Sequence, residues 1–251
     1  GADASYLKNT PVEMIEAEVP IEIVRYGLAP DSGGAGENRG GLGTWLEFKV
    51  FSPGTRITAR NRDRTRFRPW GILGGKAGRP SNFIRNPDTP KEEVLGNQDT
   101  LTAEPGDVIR FYGPGGGGRG NPLDRDPARV LRDVERGALS LDAARTDYGV
   151  VIVDGSVDEA ATTARRNEMR NGGSADAHFD FGPEREEYER HWTPEAYDAM
   201  TEIMASLPNH WRFFVKARIF DAMNASETGG PDVVQSAFAS IKAEHPQIAA
   251  E

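Results

Sequence analysis

The chain has 251 residues and a formal net charge of −9. Its apolar share is 37%, with 29 glycines, 17 prolines and no cysteine. That length suffices for one large or two modest domains. The missing cysteines exclude disulfides, thiolate catalysis and zinc–sulfur sites, and the acidic balance argues against general nucleic-acid binding. No apolar run reaches the roughly 20 residues of a membrane helix, no signal-peptide pattern opens the chain, and the expected location is cytoplasmic. The opening Gly1-Ala-Asp reads as a sequence already under way, as in the C-terminal portion of a longer polypeptide or a processed subunit.

In chain order, residues 12–28 are broken at Pro20, with Ile21 and Ile23 alternating with Glu22 and Val24, and predict two short strands. Residues 30–43 hold six glycines, a density that supplies positive φ and close backbone approach. Leu42, Thr44, Leu46, Phe48 and Val50 then alternate with Trp45, Glu47, Lys49 and Phe51, the pattern of a half-buried strand. Next comes a run of arginines at 56, 60, 62, 64, 66 and 68, leading to Trp70 and the loop WGILGGKAGRP. In an extended strand, Arg60 to Arg68 would form one cationic row with Asn61, Asp63, Thr65 and Phe67 behind it. Like charges so placed need acids, phosphate or water to settle them. The row is therefore either a solvated sheet edge paired with the chain's own acids, a carboxylate or phosphate clamp, or an electropositive face for an acidic partner.

Residues 81–107 show little periodicity, and Val108–Tyr112 reads as a short strand. It runs into Gly113-Pro-Gly-Gly-Gly-Gly-Arg-Gly120. Four successive glycines hold no shape alone, so this loop is either mobile or clamped by neighbours. Their N–H groups could cradle an anion, but the Lys-Ser/Thr pair of a P-loop is missing. The residues singled out for substrate or anion contact are Arg62, Asp63 and Arg64, with Gly115, Gly116, Gly117 and Gly118. No catalytic residue and no metal ligand set is assigned.

Helix signals dominate the remainder. Asp126-Pro127 opens one helix that ends at Gly137, and Ser140 caps a second closed by Gly149. Val150–Val153 reads as a buried strand, and Ser156-Val-Asp-Glu159 as a capping box for a third helix reaching about Arg170. Asn171-Gly-Gly-Ser174 marks a boundary. Asp176-Ala-His178-Phe-Asp180 alternates metal-ligand types, but its flanks read as a solvated loop. The EREEYER run at 184–190 reads as a salt-bridged exposed face. Helices then follow from Thr193-Pro194, over Trp211–Ala225, and after Pro231. They form either a closed bundle or an arm packed on another subunit. The fold class expected is α+β, divided as a β-rich glycine-loop domain (1–125), a small helical segment with one strand (126–172) and a linker with a helical C-terminal arm (173–251).

Four segments carry a resemblance: NTPVEMIEAEVPIEIVRYGLAPDSGGAGENRGGLG (9–43), RDRTRFRPWGILGGKAG (62–78), PGDVIRFYGPGGGGRGNP (105–122) and RDPARVLRDVERGALSLDAARTDYGVVI (125–152). In this order they resemble the C-terminal half of the B-type subunit of the hydantoinase B/5-oxoprolinase family. Asn121 and Arg119 depart from it, the family more often having Asp and Tyr there. The resemblance implies a hetero-oligomeric, ATP-dependent enzyme with a hydantoinase A-type subunit carrying the nucleotide. Such enzymes either hydrolyse cyclic amides (hydantoins, 5-oxoproline, lactams) or carboxylate ketones such as acetone and acetophenone. ATP and the divalent metal are expected outside this chain, with the N-terminal half of the same subunit as a further partner, and neither nucleic acid nor membrane involved. The helical tail points to the ketone carboxylase branch. The alternatives are a cyclic-amide hydrolase and a non-catalytic assembly module of such a complex.

Overall fold

The structure, a computed structural model, describes residues 10–59, 64–96, 98–172 and 178–249. The chain divides into two compact units, residues 1–182 and 183–251. The division falls at Gly182/Pro183, ten residues beyond the boundary expected from the glycines at 172–173.

The first unit opens with a helix, α1 (Val12–Glu18), where the sequence predicts a strand. Its Glu, Met and Ala residues are good helix formers, Pro11 sits at the N-cap, and none of its residues is buried. Past Pro20 comes the expected strand, β1 (Ile21–Leu28), with a bulge between Ile23 and Arg25. The elements that follow are β2 (Thr44–Val50), β3 (Thr55–Thr58), β4 (Gly71–Ile72), β5 (Asn82–Arg85), β6 (Glu93–Val94), β7 (Thr100–Ala103) and β8 (Val108–Tyr112). One antiparallel sheet runs β1-β2-β8-β5-β6, with β1 at an edge. The separate β3–β7 pair supplies Ile57 and Leu101 to an apolar cluster with Phe83 and Ile109 of that sheet. Strands of two to four residues are too short for period-2 alternation to register, which is why 81–107 looks aperiodic.

Helix α2 (Pro127–Glu135) is capped by Asp126, whose carboxylate accepts from Ala128 N–H at 2.8 Å. Ser140 Oγ accepts from Ala143 N–H at 3.0 Å to start α3 (Leu141–Thr146). Asp154-Gly155, both at positive φ, then turns β9 (Ile152–Val153) back onto β10 (Ser156–Val157), the two-residue hairpin chemistry of Asp-Gly. Ser156 thus lies in a strand. The N-cap of α4 (Glu159–Gly172) is instead Asp158, which accepts from Ala161 N–H at 2.9 Å. Helices α2 and α3 pack on the glycine region through one cluster of Ala35, Val130, Leu139, Ala144, Tyr148 and Val150. Strand β11 (Phe179–Asp180) pairs with β4 and completes the unit.

The second unit is α5 (Pro183–His191), α6 (Pro194–Ser206), α7 (Asn209–Ala225) and α8 (Pro231–Glu244). It has its own core of Trp192, Met200, Ile203, Val215, Ile219, Met223, Val234 and Ile241. The helices of the tail pack on one another around this core. The buried residues of α7 are Val215, Ile219 and Met223, one stripe at spacing four, although the helix is apolar on several sides. No helix among the described residues is long and apolar enough to cross a membrane.

Candidate functional site

Three glycine-rich segments, 32–43, 69–79 and 113–120, run against one another at backbone distance. Gly34 N–H donates to the Gly116 carbonyl at 2.8 Å, and Gly116 N–H to that of Gly41 at 2.8 Å. Lys76 N–H donates to Ala35 at 2.7 Å, Gly118 N–H to Lys76 at 2.9 Å and Ile72 N–H to Gly118 at 3.0 Å. Asn38 and Arg119 exchange two bonds of 2.9 Å. Buried Ser32 brackets the first segment, donating to the Ala29 carbonyl at 2.6 Å and accepting from Gly43 N–H at 2.8 Å.

The side chains that are missing explain the glycines. A Cβ at Gly34 would fall on the Lys76 carbonyl oxygen, at Gly40 on that of Gly116, at Gly117 on that of Trp70, and at Gly118 on that of Ala35. None of these four glycines has a positive φ. Close backbone approach, not left-handed geometry, is what demands glycine here. The Gly115–Gly118 run is clamped by neighbours, the second of the two states the sequence allows.

This clamping bears on each residue singled out for ligand contact. The N–H groups of Gly115, Gly116 and Gly118 are bonded to the carbonyls of Arg79, Gly41 and Lys76. A donor engaged inside the protein does not serve an anion, so these three do not form a phosphate cradle in this structure. Gly117 abuts the Trp70 backbone. Arg62 and Asp63 lie outside the described residues. Arg64 has φ +63°, and its guanidinium stands 4.9 Å from the Trp70 ring centroid. Arg64 and the glycine loop therefore meet through Trp70. Residues 65–67 form bends and 64–68 contain no strand, because positive φ at Arg64 breaks the alternation that a cationic row needs.

Two charged networks escaped the sequence reading. In the first, the Asp133 carboxylate accepts from Arg39 at 3.2 Å and from Arg125 at 2.8 Å, while Arg125 also donates to the Glu37 carbonyl at 2.8 Å. Arg125 is buried, and the pair ties the first glycine segment to α2. Beside it, Arg166 donates to the Tyr148 and Arg125 carbonyls at 3.0 and 2.7 Å. The fully buried Tyr148 hydroxyl has no hydrogen-bond partner among the described residues, and burial pushes its pKa up to about 12. In the second network, Arg110 on β8 bonds Glu47 on β2 and Asp88, each at 2.6 Å. Burial alone would lower the Arg110 pKa, but the bonds to Asp88 and Glu47 outweigh it and raise it. The Arg110 hydrogen bond in turn lowers that of Asp88.

Two arginines approach the Trp45 ring, Arg25 at 4.0 Å and Arg110 at 5.3 Å from its centroid. Glu47, Asp88 and Arg110 line an open groove of about 640 Å³ with Asn86, Lys91 and Asp107. The sequence signal for this cluster was present in the β2 alternation, which placed Trp45 and Glu47 on one face.

Asp180, one of the alternating ligand types near His178, accepts from Ala77 N–H at 3.2 Å and Gly182 N–H at 2.9 Å, a structural use. No group of three or more His, Asp or Glu that could hold a metal occurs among the described residues. Asn121 accepts from Leu123 N–H at 2.9 Å and caps a short 3-10 turn (Pro122–Asp124), a job that aspartate performs equally.

Residues 3–122 match the model described as hydantoinase B/oxoprolinase. The caprolactamase subunit beta of Pseudomonas jessenii is 40% identical over 170 residues, 64% of this chain and 28% of that protein. The acetone carboxylase alpha subunit of Xanthobacter autotrophicus is 26% identical over 205 residues, 63% of this chain and 25% of that protein. A nucleotide-free acetone carboxylase structure shares the fold with TM-score 0.52 at 19% identity, over 97% of this chain and 33% of that one. The chain spans about a quarter of the length of these curated relatives.

Proposed function

We propose that the chain is a member of the hydantoinase B/oxoprolinase family, whose model matches residues 3–122, and that it forms the C-terminal part of the B-type subunit of an ATP-dependent enzyme complex. In this reading its role is architectural: it supplies a rigid glycine-clamped core beside an active site assembled with the rest of the B-type subunit and with an A-type, nucleotide-binding partner. The observation that carries the proposal is the bonding of the three glycine segments. It commits the N–H groups of Gly115, Gly116 and Gly118 internally, which supports the reading that ATP and a divalent metal are bound elsewhere in the complex.

Two substrate classes follow from the relatives. A cyclic amide is supported by the 40% identity to a caprolactamase subunit. A ketone with bicarbonate is supported by the 26% identical acetone carboxylase subunit. In both cases ATP would activate a poor electrophile, and this chain would hold the cleft wall in place. The third reading, an assembly module with no contact to substrate, assigns the same core a role in complex formation alone.

The deciding experiment reconstitutes the complex and measures ATP hydrolysis with caprolactam, hydantoin and 5-oxoproline, and separately with acetone or acetophenone plus bicarbonate. Stimulation by one set assigns the branch. Basal hydrolysis with every substrate would refute the family-based function. Arg64→Ala, a change at an exposed side chain over Trp70, scored for assembly by size exclusion and for turnover, separates a cleft role from an assembly role.

A further inference from the structure

Nothing among the described residues requires a glycine at position 27 of β1. Its φ is not positive, and a Cβ there would meet nothing within 4 Å. The bulge of the strand lies further back, between Ile23 and Arg25. A glycine inside a strand marks a bulge, a bend or the close approach of another group. Gly27 is exposed, and the space over it is open.

Cations and flat rings border that space. Gly27 faces Trp45 and Trp45 faces Tyr112, so the three share one face of the sheet. The Arg25 guanidinium lies 4.0 Å from the Trp45 centroid, the Trp45 and Tyr112 rings are 5.0 Å apart, and the Arg79 guanidinium lies 4.5 Å from the Tyr112 centroid. Regular alternation would put Arg25 on the side of Ile21 and Ile23. The bulge instead sets it opposite Glu47, on the face of Glu22 and Gly27, the kind of re-aiming that bulges perform beside functional sites. Both arginines are exposed, and neither is paired with a carboxylate among the described residues. Glu47, which Arg25 faces, and Asp88 are each bonded to Arg110 at 2.6 Å. A guanidinium stacked on a ring keeps its edge of N–H donors free, in a fork that fits a carboxylate.

We propose that the open face over Gly27 binds a small carboxylate with a flat body. The body lies over Gly27 against Trp45, Arg25 takes the carboxylate, and Arg79, across the ring pair, adds a second positive charge. Arg110 both approaches Trp45 and lines the groove of Glu47 and Asp88, so the face adjoins that groove. The proposal goes beyond the architectural reading by giving this chain a ligand of its own, and it does not depend on that reading.

The test titrates benzoate into the whole chain and follows the Trp45 indole signal in proton–nitrogen correlation spectra, identified by its loss in Trp45→Phe. Controls at equal ionic strength are benzamide, acetate and inorganic phosphate. The expected result is a saturable shift with benzoate in the millimolar range, a weaker one with acetate, and none with benzamide or phosphate. Gly27→Val fills the space with a residue that strands favour, so the melting temperature should hold or rise while benzoate binding weakens about tenfold. Arg25→Ala should weaken it about tenfold and Arg79→Ala about threefold. Arg56→Ala, at an exposed arginine on β3, should leave it unchanged. Absence of saturation, an equal response to any of the three controls, or wild-type binding by Gly27→Val and Arg25→Ala would overturn the proposal. If Gly27→Val fails to fold, the two arginine variants still decide it. None of these outcomes depends on ATP turnover, so failure here is distinct from failure of the enzymatic reading.

Discussion

Replacing Gly118 with alanine puts a methyl group onto the Ala35 carbonyl, with the Gly34 carbonyl oxygen 2.7 Å away. Both obstacles are backbone, so no side chain can swing aside. Overpacking of this kind costs about 1–3 kcal/mol. Separating the segments also weakens the bonds from Gly118 N–H to Lys76 and from Ile72 N–H to Gly118, at about 1 kcal/mol each. The combined loss of about 3–5 kcal/mol is a large part of the roughly 5–15 kcal/mol that holds a domain folded. Gly116→Ala meets a gentler obstacle, the Gly41 nitrogen at 3.1 Å, and Gly41→Ala meets nothing within 4 Å. We expect losses of about 1–2 kcal/mol for Gly116→Ala. Gly41→Ala is expected to be neutral or to gain up to about 1 kcal/mol through the unfolded chain. Urea unfolding followed by tryptophan fluorescence reads the series, with hydrogen exchange of peptides from residues 1–182 isolating the first unit. If Gly118→Ala fails to fold, Gly116→Ala and Gly41→Ala still give the order. Equal stability of Gly118→Ala and Gly41→Ala would refute the close-approach account.

Three further outcomes follow from the charged networks. Asp133→Ala leaves buried Arg125 without its carboxylate and should cost about 3–5 kcal/mol, with Asp133→Asn milder because one acceptor remains; urea midpoints check both. Tyr148→Phe removes a buried hydroxyl with no partner among the described residues, so it should be neutral or stabilising by up to about 2 kcal/mol, and a fall in melting temperature would count against that placement. The Asp88 carboxyl is held below its ordinary value by Arg110. Its contribution to stability is therefore present above the unfolded pKa of about 3.9 and lost as pH falls through the lowered folded value. Wild type should exceed Asp88→Asn in urea midpoint at pH 7, the gap closing in steps below about pH 4; a gap that persists unchanged in acid would contradict the ion pair.

Local chemistry was the most legible part of the sequence. Asp126 and Ser140 cap helices because a short acceptor before a helical pattern has one satisfactory use. Asp154-Gly155 carried an equally plain hairpin signal, but the run of Val and Ile before it obscured a strand of only two residues. At α1 the acids Glu13 and Glu16 stand three apart, a helical spacing that a strand reading passes over, and the good helix formers around them complete the helix. The site was legible only in part. The glycines announced themselves, yet their purpose lies in contacts between segments far apart in the chain, which no local pattern shows. The same holds for Arg110 with Glu47, 63 residues apart, and Arg39 with Asp133, 94 apart. The cationic row misled because a period-2 pattern presumes extended backbone, and Arg64 at φ +63° is not extended.

Amide hydrogen exchange over residues 113–120, with and without ATP and magnesium, tests the central claim most directly. A clamped, structural glycine core predicts slow exchange at Gly115, Gly116 and Gly118 that nucleotide leaves unchanged, since their donors are already bonded to Arg79, Gly41 and Lys76. Exchange at the rate of an open loop, or protection that appears only when ATP is added, would contradict it.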